Sequence, residues 1–362
     1  MKTPPPIGAT GNESDDLYHP SGVRPPKLLL HAGLQETLRA LDKASVRLPH
    51  DPIQADFSLD SNRAPWEHPL FERVELDSTI QLSAPRGREY LEAETFVGAY
   101  DESIRKFAAL EGTAFLISHS IVVSDHLAYN PQCLLALHFY TRSKALSEVD
   151  NRLQYTENAT RSSEQDYMRD KLWFMQQMVP DHSLLFLDGP LIAGDAYVQM
   201  IAAIPGMVSR GILPIFVVKN SESDLVIRND PGLERRFNSD LHWANELLHP
   251  GERTSLFRYT DQHRPKNSKV FCYLKSLPGV PLRLEMHPDS IAQDRSRANA
   301  ALEAANYLAI VQGNRTNPQL RPIAVAETYA REFMRLVSLE SLMDKIGVTP
   351  TVNETRFGGG VG

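Results

Sequence analysis

The sequence has little of what marks secreted, membrane and cysteine-zinc proteins. It contains two cysteines in 362 residues, Cys133 and Cys272, which lie far apart inside apolar runs. This excludes a disulfide scaffold and the paired spacing of a cysteine zinc site. No apolar run approaches the roughly 18 residues that cross a bilayer, and residues 1–8 lack the apolar core of a signal peptide. We therefore expect a cytoplasmic protein without a membrane partner.

Several enzyme motifs are also missing. The sequence has no Walker-type glycine loop, no Rossmann glycine pattern, no HExxH zinc motif and no Ser-His-Asp signature. Its formal net charge of −7 argues against a general nucleic-acid coat, because non-specific DNA affinity comes largely from Lys and Arg. A nuclease is still compatible with this charge, since carboxylates that hold divalent metals add local negative charge.

The most informative segment covers residues 184–219. Residues 184–187 and 212–218 are apolar runs without alternation, which is typical of parallel strands buried on both faces, and a helical pattern lies between them. This predicts a βαβ unit. Asp188 and Lys219 follow the two strands directly, and the strand ends of an open α/β sheet are where ligands bind. We expect both charges to face one crevice.

The rest of the chain predicts an α/β fold with a ribonuclease-H-like mixed sheet core flanked by helices. Strands at 114–123, 134–141 and 145–149 are followed by a helix at 162–178 and then by the parallel pair, an order that many mixed α/β proteins share. The predicted organisation is a flexible proline-rich arm (1–27), a helical and irregular N-terminal extension (28–110, with helices at 28–48 and 87–110), the core (111–345) and a flexible tail (346–362).

Three acids are candidates for metal binding and catalysis. Asp188 ends a strand, Asp170 lies with Asp166 on one face of the preceding helix, and Glu327 lies near the start of the last helix. Two-metal phosphodiester hydrolysis needs several carboxylates that converge on the ions. Each acid also has a structural interpretation: Asp188 as a turn former before Gly-Pro, Asp170 as part of a solvated helix face, and Glu327 as an ordinary helix residue.

Three basic residues are candidates for phosphate binding. Lys219 can neutralise a phosphate beside the metal or lie as an ordinary strand-end lysine along the surface. Arg253 and Arg283 are candidates for DNA contacts or for structural ion pairs. For Arg283 we favour the structural role, since Glu285 lies two residues later on the same face of one strand.

Seven short motifs, in order and spacing, resemble the NurA nuclease domain family over about residues 110–340. In that family the metal site uses an Asp in an Asp-Gly-Ser turn, a Glu on the following helix, an Asp before Gly-Ser/Pro-Leu, and a His near the start of a late helix. By position these fall on Ser118, Asp170, Asp188 and Glu327. The motifs are segments 115–126, 184–191, 211–219, 251–257, 270–275, 283–285 and 320–327.

The resemblance implies a ribonuclease-H-like core, a manganese-dependent (or magnesium-dependent) DNA nuclease and a homodimer. It also implies partnership with a hexameric HerA-type ATPase that translocates DNA, as in DNA end resection, with repair and antiviral defence both open as roles. The irregular segment around Trp66 and Phe71 is a candidate contact for that ATPase, and packing on its own domain is the alternative.

Two hypotheses follow from the resemblance. In the first, Asp170, Asp188 and Glu327, aided by Asp125, hold the metal, and the protein cleaves DNA ends as a phosphodiester hydrolase. In the second, Ser118 in place of an Asp has ended catalysis, and the protein is a dimeric scaffold or DNA-threading adaptor of the ATPase.

Overall fold

The computed structural model describes residues 71–351, except 95, 125–128, 150–151, 194–195, 262–263, 265 and 314–318. These residues belong to one compact unit, Ile53–Gly362. The predicted arm and the predicted helix at 28–48 lie outside the described residues, as do Trp66, Asp125 and most of the predicted tail. No helix in the described part of the chain is long and apolar enough to cross a membrane.

Twelve strands in the described ranges form one mixed sheet. They are β1 (Phe71–Arg73), β2 (Thr79–Gln81), β3 (Phe96–Ala108), β4 (Thr113–Ser124), β5 (Tyr129–Thr141), β6 (Leu153–Tyr155), β7 (Ser183–Asp188), β8 (Leu213–Val218), β9 (Glu252–Thr254), β10 (Phe257–Thr260), β11 (Ser268–Lys275) and β12 (Leu282–Met286).

The helices lie on both faces of this sheet and between its strands. They are α1 (Ala84–Ala93), α2 (Lys144–Val149), α3 (Ala159–Met178), α4 (Tyr197–Ser209), α5 (Pro231–Arg236), α6 (Asp240–Leu247), α7 (Pro288–Gln293), α8 (Arg295–Gln312), α9 (Arg321–Met334) and α10 (Leu339–Lys345). A short 3₁₀ helix covers Ile227–Asn229.

The centre of the sheet has the strand order β5-β4-β3-β7-β8. β3, β4 and β5 form an antiparallel meander, whereas β7 lies parallel to β3, and β8 lies parallel to β7. Helix α3 connects the meander to β7, and α4 connects β7 to β8. This confirms the predicted ribonuclease-H-like mixed sheet and the βαβ unit, since a parallel pair needs a crossover.

Each face of the central sheet packs against a different pair of helices. Ala99 of β3 and Phe186 of β7 belong to one apolar core, together with residues of α8 and α9. The neighbouring residues Tyr100 and Leu187 point to the other face and pack with residues of α3 and α4. Because side chains alternate along a strand, successive residues of β3 and β7 contact opposite helical layers. We call these faces the α9 face and the α3 face.

The predicted helix at 87–110 is wrong beyond Ala93. Residues 96–108 form β3, the first strand of the meander, and residues 97–108 of it pair with β4. The segment has apolar residues at spacings of three and four, but the pairing partners on β4 and β7 impose the extended conformation. The sheet core therefore begins before residue 111, the predicted boundary of the core.

Two smaller expectations also need correction. The predicted strand at 145–149 is part of the short helix α2, and β6 follows it. Phe71 is not an exposed contact for a partner: it is buried in β1 and stacks on Phe257, with ring centroids 5.4 Å apart. Its aromatic ring thus packs on its own domain, which was the stated alternative.

Helix α1 packs on α8 through a close approach at Gly87. A Cβ atom on this residue would overlap the backbone carbonyl of Glu303 in α8. We expect Gly87→Ala to lower the free energy of unfolding by about 1–3 kcal/mol, because two helix backbones must separate. Gly206 in α4 has no atom near the position of its missing Cβ. Gly206→Ala is the matched control and should stabilise by about 0.5–1 kcal/mol. Chemical denaturation measures both, and equal effects would contradict the close approach.

Candidate active site

Two carboxylates follow the point where the parallel pairing of β3 with β7 ends. Tyr100 and Leu187 are the last registered pair of these strands, and the next residues are Asp101 and Asp188. Asp101 lies two residues after Ala99, and Asp188 two residues after Phe186. Because Ala99 and Phe186 pack on the α9 face and side chains alternate along a strand, both acids point to the α9 face. Asp101 is 5 % exposed. Two neighbouring strands therefore place two like charges near each other in a largely buried position.

Lys219 and Glu327 complete this group. Lys219 follows β8, and its Nζ lies 3.0 Å from Asp188 Oδ2 and 3.7 Å from Glu327 Oε2. Glu327 lies on the second turn of α9, next to Ala326, which is buried against the sheet. Asp188 and Lys219, the two charges that follow the predicted strands, thus lie beside each other as an ion pair. We call Asp101, Asp188, Lys219 and Glu327 the carboxylate site.

The electrostatics of the site favour a cation beside Asp101 and Asp188. Burial raises the pKa of Asp101 to about 7, and the charges of Asp188 and Glu102 add to the shift. Burial also raises the pKa of Asp188, although the Lys219 ammonium opposes it. Two carboxylates this close cannot both ionise at low cost without a nearby positive charge. Lys219 supplies only part of that charge.

The pKa of Glu327 is shifted in the opposite direction to those of Asp101 and Asp188. Burial raises its pKa, but the hydrogen bond from Gln319 and the charges of Lys219 and Arg331 outweigh that effect, so the pKa lies below its usual value. Gln319 Nε2 donates to Glu327 Oε2 at 2.7 Å, and Arg331 Nη2 lies 2.5 Å from Oε1. Glu327 is therefore ionised at neutral pH and held at the sheet edge by three neighbours.

The loop after Asp188 is fixed by backbone and side-chain contacts. Gly189 has φ of 92°, a conformation that favours glycine, and its N–H donates to the carbonyl of Val217 on β8. The N–H of Leu191 donates to Glu285 Oε2 at 2.8 Å. Glu285 on β12 is fully buried. These bonds set the direction in which the chain leaves β7, and with it the position of the Asp188 carboxylate.

Arg283 belongs to the same buried network and is not available to DNA. Its Nε lies 2.9 Å from Glu285 Oε1, and its Nη1 donates to Ser221 Oγ in the loop after β8. Lys269 Nζ also donates to Glu285 Oε1, at 2.6 Å. The phosphate-binding alternative for Arg283 is therefore corrected in favour of the structural one. Through Glu285 and Ser221, β12 supports the loops that follow Asp188 and Lys219.

Arg253 is likewise a structural residue. It is 3 % exposed, and its two terminal nitrogens donate to the two carboxylate oxygens of Glu75 at 2.6 and 2.9 Å. A bidentate buried pair of this kind leaves no nitrogen directed at solvent. The expected contact of Arg253 with DNA phosphate is corrected for this reason.

Asp170 lies apart from the carboxylate site. It is on α3, on the α3 face of the sheet, and His138 Nε2 of β5 lies 2.8 Å from its Oδ2. Its neighbour Asp166 accepts a hydrogen bond from Tyr140. The structure therefore brings Asp188, Glu327 and Lys219 together but not Asp170, whose charge is engaged by His138 two strands away from β3.

The residue that the sequence analysis missed is Asp101. The family's first Asp was placed on Ser118, which lies in the middle of β4, fully buried and paired with Ser103. Asp101-Glu102-Ser103 keeps the first and third residues of the family's Asp-Gly-Ser pattern, and β3 places its Asp beside Asp188. That short pattern was the available signal. Ser118 is thus no substitute for a lost carboxylate.

The residues present fit a divalent cation in their chemistry. Asp101 Oδ2 is buried and has no hydrogen-bond partner, and the other candidate ligands are also carboxylates, the type that manganese and magnesium prefer. As the side chains stand, no three His, Cys, Asp or Glu residues in the described ranges are close enough to hold a metal. The Lys219 ammonium contacts two of the three acids, so binding requires that it move aside.

The raised pKa of Asp101 gives a prediction for stability in metal-free buffer. Its carboxyl stays protonated in the folded protein up to about pH 7, whereas in the unfolded chain it ionises near the ordinary pKa of 3.8. The wild type therefore loses stability as pH rises from about 4 to 7, and Asp101→Asn removes this loss. At pH 8.5 we expect the variant to be more stable by up to about 4 kcal/mol, measured by denaturant unfolding at several pH values. A variant less stable than wild type at pH 8.5 would contradict the assignment.

Comparison with known proteins found solved structures that have low sequence identity to this chain. One is the NurA nuclease from Sulfolobus solfataricus, with 11 % identity, 72 % of this chain and 92 % of that chain covered, and a TM-score of 0.44. Another is NurA with manganese, with 7 % identity, 72 % of this chain and 93 % of that chain covered, and a TM-score of 0.35. Endonuclease V from Bacillus subtilis is also similar, with 9 % identity, 70 % of this chain and 84 % of that chain covered, and a TM-score of 0.35. No curated protein matches.

The assignment to a family rests on a sequence match. The model of the NurA domain matches residues 130–332, more than half of the chain. The matched range includes Asp188, Lys219 and Glu327 but begins after β3, the strand that carries Asp101. The chain belongs to the NurA family.

Proposed function

We propose that the protein is a metal-dependent DNA nuclease that uses Asp101, Asp188 and Glu327 as metal ligands and Lys219 as a phosphate-neutralising group. The observation that carries the proposal is that three acids, from β3, β7 and α9, lie near one another where the pairing of the two central strands ends. Burial and the charges of neighbouring carboxylates raise the pKa of Asp101 and of Asp188 there. Perturbed acids clustered at strand ends are typical of catalytic sites.

The chain's own residues have distinct roles in this proposal. Asp101 and Asp188 supply oxygen ligands fixed by the strands, and Glu327 supplies one from a helix that packs across the sheet. Lys219 offsets the charges of Asp188 and Glu327 in the free protein. It would contact a DNA phosphate when the carboxylates bind a cation. Asp170 is omitted from the ligand set because its carboxylate bonds His138.

Manganese or magnesium, when bound, would activate a water molecule and stabilise the negative charge that develops on the phosphate. The requirement for oxygen ligands is met by three carboxylates, and Asp101 Oδ2 is unbonded. Membership of the NurA family supports this choice of cofactor and of DNA as substrate. It also supports a homodimer and partnership with a HerA-type hexameric ATPase, both of which remain part of the proposal.

A second function has one observation in its favour. The Lys219 ammonium contacts Asp188 and Glu327 in the way that a structural cation does. If this pairing is permanent, the protein is a catalytically degenerate scaffold or DNA-threading adaptor of the ATPase. The retention of Asp101 weighs against it, since a buried carboxylate with a raised pKa is costly to keep where it serves no purpose.

The carboxylate site predicts which acids are needed for cleavage. With linear DNA and manganese, Asp188→Ala and Asp101→Asn should each lower the cleavage rate roughly 100-fold or more, because removing even an outer-shell partner of a metal costs 10- to 100-fold. Chelation of the metal should abolish wild-type cleavage. Gel analysis of end-labelled DNA gives the rates.

Asp170→Asn is the matched control for these variants. It removes an acid on the opposite face of the sheet and leaves the carboxylate site intact, so cleavage should change little. Loss of activity in Asp170→Asn with activity retained in Asp101→Asn would overturn the ligand set. No metal-dependent cleavage by wild type, alone or with the ATPase, would favour the scaffold.

The proposed partnership predicts a stable complex. The full-length protein mixed with a HerA-type hexamer should elute with it in size-exclusion chromatography, and Asp188→Ala should elute in the same way because this change affects only the carboxylate site. Separate elution of both proteins at micromolar concentration would contradict the partnership without affecting the nuclease assignment.

A further inference from the structure

β3 continues beyond the end of β7, and one side of it is left without a strand. β7 pairs with residues 96–100 of β3 and ends at Asp188, whereas β3 runs on to Ala108 and pairs with β4 on its other side. The loop that follows β7 bonds to β8 and β12 instead. No strand in the described ranges therefore pairs with residues 101–107 on this side, which we call the open side of β3.

Helix α9 runs along the same stretch of β3, on the α9 face. Ala326, on its second turn, packs in one apolar core with Ala99 of β3. Near the C-terminal end of the helix, Met334 packs in another core with Leu116, and Leu116 pairs with Arg105 of β3. The helix therefore passes from the carboxylate site to the level of Arg105, and it borders the open side of β3 over this distance.

Two exposed arginines lie on this route. Arg331 comes one helical turn after Glu327 and so lies on the same side of α9. Its side chain is 66 % exposed, and its contact with Glu327 uses only Nη2, so the other nitrogens of the guanidinium remain available. Arg105 follows Asp101 by four residues, about 13 Å along the strand, and alternation places it on the same α9 face. Arg105 is exposed and forms no ion pair with any residue in the described ranges.

The charges along this route change sign with distance from the carboxylate site. The acids lie where a cation and the phosphate to be cut would meet, whereas the arginines beyond them suit the phosphates that follow in the same strand. A guanidinium donates paired hydrogen bonds to phosphate oxygens. Such contacts hold the backbone of a strand in position and do not depend on its base sequence.

We propose that Arg331 and Arg105 bind backbone phosphates of the DNA strand on one side of the cleaved bond. The proposal rests on the nuclease function proposed above. Arg331 contacts the phosphate nearer to the carboxylate site, and Arg105 contacts one farther along. The strand thus lies along the open side of β3, on the α9 face, and passes Ser103, which lies between Asp101 and Arg105 on that face.

The test is the salt dependence of DNA binding in the absence of cleavage. A fluorescein-labelled thymine oligonucleotide is titrated with full-length protein in EDTA at several salt concentrations, and anisotropy gives each dissociation constant. Each phosphate contact to single-stranded DNA contributes about 0.7 to the slope of log Kd against log salt concentration. Arg105→Gln and Arg331→Gln should each lower this slope by about 0.7, and the double variant should lower it by about 1.4. An adenine oligonucleotide should give the same changes.

Arg88→Gln is the matched control. Arg88 lies on α1, its side chain is 63 % exposed, and it pairs with Glu92 at the same i,i+4 spacing as Arg331 with Glu327. The variant has the same net charge as each single variant, and its slope should equal that of wild type. Arg105→Lys keeps the charge and should also keep the slope. A wild-type slope in the double variant would overturn the proposal, as would an equal decrease in Arg88→Gln or no binding of DNA by wild type.

The binding test is independent of cleavage and so separates this proposal from the proposed function. If wild type lacks metal-dependent cleavage but the slopes fall as expected, the assignment of the two arginines stands and the nuclease assignment falls. Cleavage by wild type together with an unchanged slope in the double variant gives the reverse result.

Discussion

The arrangement of the site depends on a conflict of charge at the point where the parallel pairing of β3, β7 and β8 ends. Asp101 follows the last residue of β3 that pairs with β7, Asp188 is the last residue of β7, and Lys219 follows β8. The pairing of the strands fixes how far these three groups can separate. The two acids repel each other in a poorly solvated position, which burial makes worse. Lys219 offsets one of them. The remaining deficit of positive charge makes this edge suited to a cation.

The buried ion network behind the site holds the loops that follow Asp188 and Lys219. A carboxylate position is useful for metal binding only if the loop beside it is rigid, and loops lack the hydrogen-bond ladder of a strand. Glu285 holds the N–H of Leu191, and its ion-pair partner Arg283 holds Ser221. Charges buried in this way are costly unless all partners are present, so the network fixes both loops together.

The sequence was sufficient for the parts of the fold in which local pattern and tertiary environment agree. The unbroken apolar runs of β7 and β8 predicted parallel strands, and Asp188 before Gly189 predicted the strand end. β3 was missed because its apolar residues recur at helical spacing and its conformation is imposed by β4 and β7. Asp101 was missed with it. The Arg253–Glu75 pair joins residues 178 positions apart, which no local pattern indicates.

β3 connects the two faces of the molecule through a single peptide unit. Asp101 and Glu102 point in opposite directions, yet the charge of Glu102 raises the pKa of Asp101, while Tyr167 and Lys171 bind or offset Glu102 from the α3 face. A ligand that neutralises or hydrogen-bonds Glu102 would therefore make Asp101 easier to ionise, because one like charge near it is reduced. The charge of Glu102 on the α3 face is coupled to the ionisation of Asp101 on the α9 face for this reason.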